Sequence, residues 1–501
     1  MTDAPAPQIP GLEVWGRIGR GGMSDVWLAK HTTLATPVVI KTLDPRASVA
    51  SDTDATDGGT EATARILSEA RMMARVSDPR VVRALDAGRT ADGRPYLVQE
   101  YVDGLDMAEL DRRRRNALGL GLPLWLVAHV MREVCTGLRA AHQAGVIHRD
   151  VKPSNVFGAT DSGIRLGDFG IATATPREEK RAAGTLKFMA PEQYTCGEIG
   201  RHTDVWGAGA TACDLRYGNG PFESTRDLLD PNAQPHMPIP ETPHEAYFQQ
   251  TVRMMLARDL ARRPQDIGPP LRAFGMLSRA IAPPPTRAAR IAKDTFIAGP
   301  VRLRFIVGDI ASADADAIVS SANYEMRMQS GVGAALRLRG GAQLEEEAMS
   351  GGERPLGTCI RTSPGGLSAR HLFHAVSAWN EVSCVGRAFA RALLLSSEHG
   401  CTSLAAPALG TGAARVSMEM CASGMITTLR WHIMLGGMRL RELSLYFDSQ
   451  HKLDVFRDVA EEALHVDESR FVDLGLPVLG LPPSSQAATF LDPGADRTSE
   501  S

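Results

Sequence analysis

The segment HRDVKPSN at residues 148–155, followed by DFG at 168–170, carries an acid, a lysine and an amide at fixed intervals. That set suits phosphoryl transfer from ATP to a hydroxyl. Asp150 can accept the proton of the attacking hydroxyl, and Lys152 can steady the migrating phosphate. Asn155 and Asp168 can hold the Mg²⁺ ions that neutralise the phosphates. A single acidic residue in such a place is usually a cap or a solvated carboxylate. Eight ordered positions followed by DFG are far harder to reach by chance.

Other elements must position these groups. IGRGGMSDV at 18–26 lies between two strand-like runs, and its small residues let backbone N–H groups approach phosphates. VVIK at 38–41 places Lys41 on a buried strand, where an unpaired ammonium would be costly. A counter-charge is expected at Glu69, in the helical run ILSEARMMARV, whose apolar residues recur every three or four positions. Between strand and helix, residues 44–61 are small, polar and acidic, which predicts a flexible insertion. From Leu124 to Ala144, Val127, Met131, Val134, Leu138 and Ala141 recur at steps of four and three and predict one buried helix.

In this order the motifs resemble those of bacterial Ser/Thr protein kinases, over residues 12 to about 278. The resemblance implies that Gly19, Gly21 and Val26 cover ATP and that the Lys41–Glu69 pair holds its α- and β-phosphates. It implies that PYLVQEYVDG at 95–104 is the fifth strand and hinge, with Gln99 as gatekeeper and the backbone of Glu100 and Val102 facing adenine. Ser24 stands where the family has a third glycine. Thr173 and Thr175 become candidate autophosphorylation sites, because Arg149 could pair a phosphate. Thr185 would orient the substrate hydroxyl, Asp204 would brace the catalytic loop, and Arg263 would pair with Glu192.

After residue 278 the chain changes character, and a proline- and arginine-rich stretch reads as a linker over 279–299. From 300 to about 465, short buried strands alternate with helices, which implies a three-layer α/β domain. SGVGAAL at 330–336 and ALGTGAA at 408–414 are glycine-containing loops opening onto helices, able to grip a diphosphate from both sides. Order and content resemble a macrodomain, the module that recognises ADP-ribose. The resemblance places Asp309 at the adenine amine and Asn323 beside the distal ribose. Gly331, Val332, Gly410, Thr411 and Gly412 fall around the diphosphate, and Phe447 is placed to stack on adenine. Gly333 takes the position of the catalytic aspartate found in one hydrolytic branch of that family, so binding without that type of hydrolysis is expected.

Composition sets bounds on this reading. The chain has 501 residues, with 55 Lys and Arg against 58 Asp and Glu, and nothing in that balance recruits nucleic acid or a membrane surface. Its one basic run, 112–115, reads as the solvated end of a helix. Seven scattered cysteines without a CxxC pair argue against a disulfide framework or zinc site and favour the cytoplasm. The expectation is a multidomain α+β and α/β chain. Residues 1–11 form a tail, 12–278 a bilobal protein kinase fold, and 300–465 a three-layer α/β/α macrodomain, with disorder over 466–501. As an enzyme it would be a non-specific serine/threonine protein kinase using ATP and Mg²⁺. Its partners would be protein substrates and ADP-ribose or ADP-ribosylated protein. The alternatives are a kinase fused to an ADP-ribosyl hydrolase, and a non-catalytic scaffold that reads ADP-ribose.

Overall fold

The computed structural model describes residues 6–20, 24–43, 70, 73–159, 163–169, 186–230, 232–281, 283, 288–379, 382–412, 415–436 and 439–464. The expectations for Gly21, Glu69, Thr173, Thr175, Thr185, the 44–61 insertion and the 466–501 tail fall outside these residues.

The first unit opens with β1 (Leu12–Arg20), β2 (Ser24–His31), β3 (Pro37–Leu43), β4 (Ala84–Arg89) and β5 (Pro95–Glu100). They form an antiparallel sheet in the order β1-β2-β3-β5-β4. Trp27, Ala29, Val38, Ile40 and Val98 pack one small core there, and Ile9, from the stretch read as a tail, packs with them. The chain then crosses to a mainly helical lobe through β6 (Gly104–Asp106), α1 (Met107–Leu118) and α2 (Leu124–Gln143). The predicted stripe of Val127, Met131, Val134, Leu138 and Ala141 is buried in the lobe's main core. β7 (Val156–Ala159) pairs with β6 on one side and with β8 (Ile164–Leu166) on the other. α3 (Pro191–Thr195), α4 (Arg201–Tyr217), α5 (Thr225–Leu229), α6 (Pro243–Met255) and α7 (Gly268–Ala280) complete the lobe.

The second unit begins earlier than the sequence suggested. β9 (Ala288–Ala292) and β10 (Thr295–Ala298) form a hairpin on the edge of its sheet, where a linker was expected. Phe296 from this hairpin is fully buried against Phe305, so the stretch has a core anchor that its arginines and prolines concealed. β11 (Val301–Val307), β12 (Ala317–Ala322), β13 (Cys359–Thr362), β14 (His371–Val376), β17 (Ser403–Pro407) and β18 (Glu442–Phe447) finish an eight-stranded sheet. Its order is β13-β14-β12-β17-β18-β11-β10-β9, and β14, β12, β17, β18 and β11 are mutually parallel. β15 (Ala378–Trp379) and β16 (Val382–Ser383) form a separate two-residue ribbon. One face is covered by α8 (Gly331–Gly340) and α9 (Gln343–Met349), and the other by α10 (Val385–Glu398), α11 (Met418–Leu435) and α12 (Gln450–Leu464). Two separate apolar clusters, one on each face, make this the expected three-layer arrangement.

Candidate functional site

Buried hydrogen bonds hold the loop between α2 and β7 in shape. Asp204, at the start of α4 and 1% exposed, accepts the backbone N–H of His148 at 2.8 Å and of Arg149 at 2.7 Å. His142 Nε2 donates to the same carboxylate at 2.7 Å. Arg149 sits at φ +67°, a strained conformation for an arginine, and Asp204 bonds the N–H of that residue and of the one before it. The His148 ring donates to Gly167 O at 3.0 Å and lies 4.3 Å from the Phe169 ring, tying the loop to DFG. Burial pushes its pKa down, so the ring is neutral at pH 7.

The candidate catalytic groups converge. Lys152 Nζ lies 2.8 Å from Asp150 Oδ2. Asn155 Nδ2 donates to the Asp150 carbonyl at 2.7 Å and to its carboxylate at 3.2 Å. Because its nitrogen is engaged, the Asn155 amide presents its oxygen as the remaining ligand, a hard donor suited to Mg²⁺. Lys41 reaches across the cleft to the Asp168 carboxylate in a direct ion pair. Asp168 is at φ +56°, a second strained backbone position in the site. Gly19 and Val26 face each other in register on β1 and β2 above this site. Glu100 ends β5, with its side chain on Arg83 at 3.1 Å, and Val102 follows in the connection to β6. Gln99 is 2% exposed, and its amide nitrogen has no hydrogen-bond partner among the described residues. Arg263 Nη1 meets Glu192 Oε1 at 2.7 Å in a buried pair, as expected.

In the second unit the candidate binding residues gather along one edge of the sheet, at the C-terminal ends of parallel strands, where α/β sheets bind ligands. Asp309 follows β11, Asn323 follows β12, and Gly410, Thr411 and Gly412 follow β17. Asn323 and Asp309 are separated by β17 and β18, a span of about 14 Å at ordinary strand spacing. Asp309 is exposed, and one carboxylate oxygen accepts from Ala311 N at 2.9 Å. Asn323 Oδ1 accepts from Arg327 N at 3.0 Å, which leaves its NH₂ group for a ligand. Gly331 and Val332 open α8, and Gly331 is at φ +53°. A Cβ built at Gly331 or Gly412 meets nothing within 4 Å, so open space lies before both loops. Ser321 Oγ accepts from Gly410 N at 3.2 Å and fixes the second loop, a role that sequence reading missed.

Two expectations need correction, those for Phe447 and for the basic run. Phe447 is 3% exposed and packs edge-on to Phe456 at 5.2 Å and Phe305 at 6.2 Å, so it is a core residue and has no free face for adenine. Gly333 is buried, and a Cβ there would lie 3.2 Å from Met328 Cα, so the backbone leaves no easy room for an aspartate. The basic run is not a solvated helix end. Arg113 pairs with Glu109 at 3.0 Å and Glu398 at 3.3 Å, Arg114 donates to Gly121 O and Gly436 O, and Arg115 pairs with Asp111 at 2.7 Å.

Two of those contacts, Arg113 with Glu398 and Arg114 with the Gly436 carbonyl, cross between the units, and Asp103 and Glu109 add others. Asp103, in the connection between β5 and β6, accepts from Gly386 N at 3.2 Å and Arg387 N at 3.0 Å in the first turn of α10. Burial pushes its carboxyl up to about 6, only partly offset by the Arg387 and Gly386 amides and the Arg387 charge. Glu109 binds Arg391 through both oxygens at 2.8 and 2.7 Å. Burial alone would raise its pKa, but the Arg391 hydrogen bonds and charge, aided by Arg113, hold it down at about 2. An Asp-Gly pair after a strand looks like any turn, so the sequence gives no signal of a partner 283 positions away.

A family model described as protein kinase domain matches residues 12–266, and one described as Macro domain matches 319–425. The chain is 34% identical over 214 residues to serine/threonine-protein kinase PknL of Mycobacterium tuberculosis, covering 42% of this chain and 50% of that protein. It is 31% identical over 254 residues to PknE of Mycobacterium bovis, covering 50% and 42% respectively. The chain thus spans about half the length of these relatives, or less. A crystal structure of a point mutant of the M. tuberculosis PknI kinase domain is 26% identical, with a TM-score of 0.44, covering 56% of this chain and all of that one.

Proposed function

Because the chain belongs to the protein kinase family, we propose that it transfers the γ-phosphate of ATP to serine or threonine hydroxyls of proteins. The convergence of Asp150, Lys152, Asn155, Asp168 and Lys41 on one cleft carries this reading. The Asp150 carboxylate takes the proton as the hydroxyl oxygen attacks the γ-phosphorus and the bond from that phosphorus to the bridging oxygen breaks, releasing ADP. Lys152 places positive charge beside that carboxylate, where charge builds on the transferring group. Asn155 and Asp168 supply the oxygen donors that fit Mg²⁺, which when bound neutralises the phosphate oxygens. Lys41, now on Asp168, is placed to serve the ATP phosphates. Incubating the full chain with Mg²⁺ and ATP should yield phosphoserine or phosphothreonine, and Asp150→Asn should abolish it. Labelling that survives Asp150→Asn in purified protein would end this assignment.

The second unit, we infer, binds ADP-ribose or ADP-ribosylated protein without efficient hydrolysis. Support comes from the crevice: two glycine loops with open space before them, flanked by Asp309 and Asn323 at about the reach of a dinucleotide. The tight packing at Gly333 bears on the absence of hydrolysis. Calorimetric titration of the full chain with ADP-ribose tests this, and no heat at millimolar ligand would refute it. Among the described residues no helix is long and apolar enough to cross a membrane. We propose the cytoplasm as its compartment on cysteine usage.

A further inference from the structure

Helix α10 belongs to the second unit, yet its N-terminus is capped from the first. Cys384, at the N-cap position, makes no side-chain cap, because its thiol donates instead to the carbonyls of Val376 and Ser377. The two Asp103 oxygens take the amides of Gly386 and Arg387, the positions an N-cap side chain normally serves. Asp103 follows Val102 directly, in the short connection between β5 and β6 on which the two lobes turn.

The same unit touches both lobes. Tyr324, Met326, Leu356 and Val376 pack with Trp15, Ile18 and Leu28 of β1 and β2. On the other lobe, Arg391 and Glu398 pair with Glu109 and Arg113 of α1, and Met434 and Leu435 enter that lobe's core. A body fixed to the hinge and to the lobes on either side of it opposes their relative rotation. It also holds β1, whose Ile18 begins the glycine segment.

We propose that Asp103 is a positioning residue for the nucleotide site: by capping α10 it locks the hinge and both lobes into one orientation, so the second unit supplies part of the affinity for ATP. This rests on the kinase reading above. A site held in its binding orientation loses less freedom when its ligand arrives, and releasing the lock returns that cost.

The test uses the full chain and Mg²⁺ with AMP-PNP, an unhydrolysed ATP analogue, with hydrogen exchange as a second readout. Asp103→Ala should weaken binding about fivefold, a typical cap contribution expressed as affinity, and speed exchange at the amides of Gly386 and Arg387. Asp103→Asn keeps a capping oxygen and should stay within about twofold of wild type. Arg391→Gln, which breaks the pair with Glu109 across the same contact, should also weaken AMP-PNP. Unchanged affinity in Asp103→Ala despite faster exchange at those amides overturns the proposal, as does unchanged affinity in Arg391→Gln. A wild-type chain that binds no AMP-PNP overturns the kinase reading itself, and this proposal with it.

Discussion

Glu109→Gln isolates the charge in the contact between the two units, because it keeps the side chain's shape. A carboxyl held at about 2, against an ordinary 4.5, corresponds to about 3 kcal/mol favouring the folded, charged form. Glu109 and Arg391 are 11% and 15% exposed, so solvent screens this pair little. The folded pKa lies below the unfolded one, so the stabilisation is full above pH 4.5 and is lost as pH falls toward 2. The stability gap between wild type and variant should be about 3 kcal/mol at pH 7 and at pH 5, and about 2 kcal/mol at pH 3.5. Urea unfolding of both full chains, monitored at α10 by hydrogen exchange, measures it. A gap under about 0.5 kcal/mol at pH 7, or one that does not narrow in acid, would show that the pair is solvated and that its geometry is not what holds the units together.

The Asp103 carboxyl is displaced the opposite way, from 3.8 up to about 6, so its ionisation costs stability that is present below 3.8 and lost as pH rises through 6. Asp103→Asn should therefore stabilise the chain at pH 8 and match wild type near pH 4, as thermal unfolding at the two pH values would show. Arg263→Met leaves Glu192 buried beside His202 with its main counter-charge gone, and should cost about 3–5 kcal/mol in urea unfolding. Phe447→Ala should cost about 3–5 kcal/mol for a core cavity, whereas a variant of normal stability that only lost ADP-ribose affinity would return Phe447 to the ligand. Gly333→Asp should weaken ADP-ribose binding in calorimetry and gain no hydrolysis of a mono-ADP-ribosylated substrate. Efficient hydrolysis by that variant would show that Met328 yields.

What the sequence made legible was chemistry confined to short segments. HRDVKPSN and DFG declared Asp150, Lys152, Asn155 and Asp168 because phosphoryl transfer needs those groups at fixed spacing. The apolar stripe of α2 showed equally well because helical periodicity is local. Phe447 could not be placed by pattern. At the end of a strand, an aromatic that stacks on a ligand and one that closes the core read alike, and the neighbouring rings of Phe305 and Phe456 decide between them. The 288–298 hairpin was hidden because its strands are short, lie at the sheet edge and carry Arg290 outward, so only Phe296 betrays them. Arg113 and Arg114 looked like solvated charge because their counterparts, Glu398 and the Gly436 carbonyl, lie nearly three hundred residues or more downstream. A charged residue at an interface obeys the same local rules as one in water, and only the fold reveals which solvent it has lost. Asp103 and Glu109 therefore stayed silent in the sequence while carrying the contact on which the coupling of the two units depends.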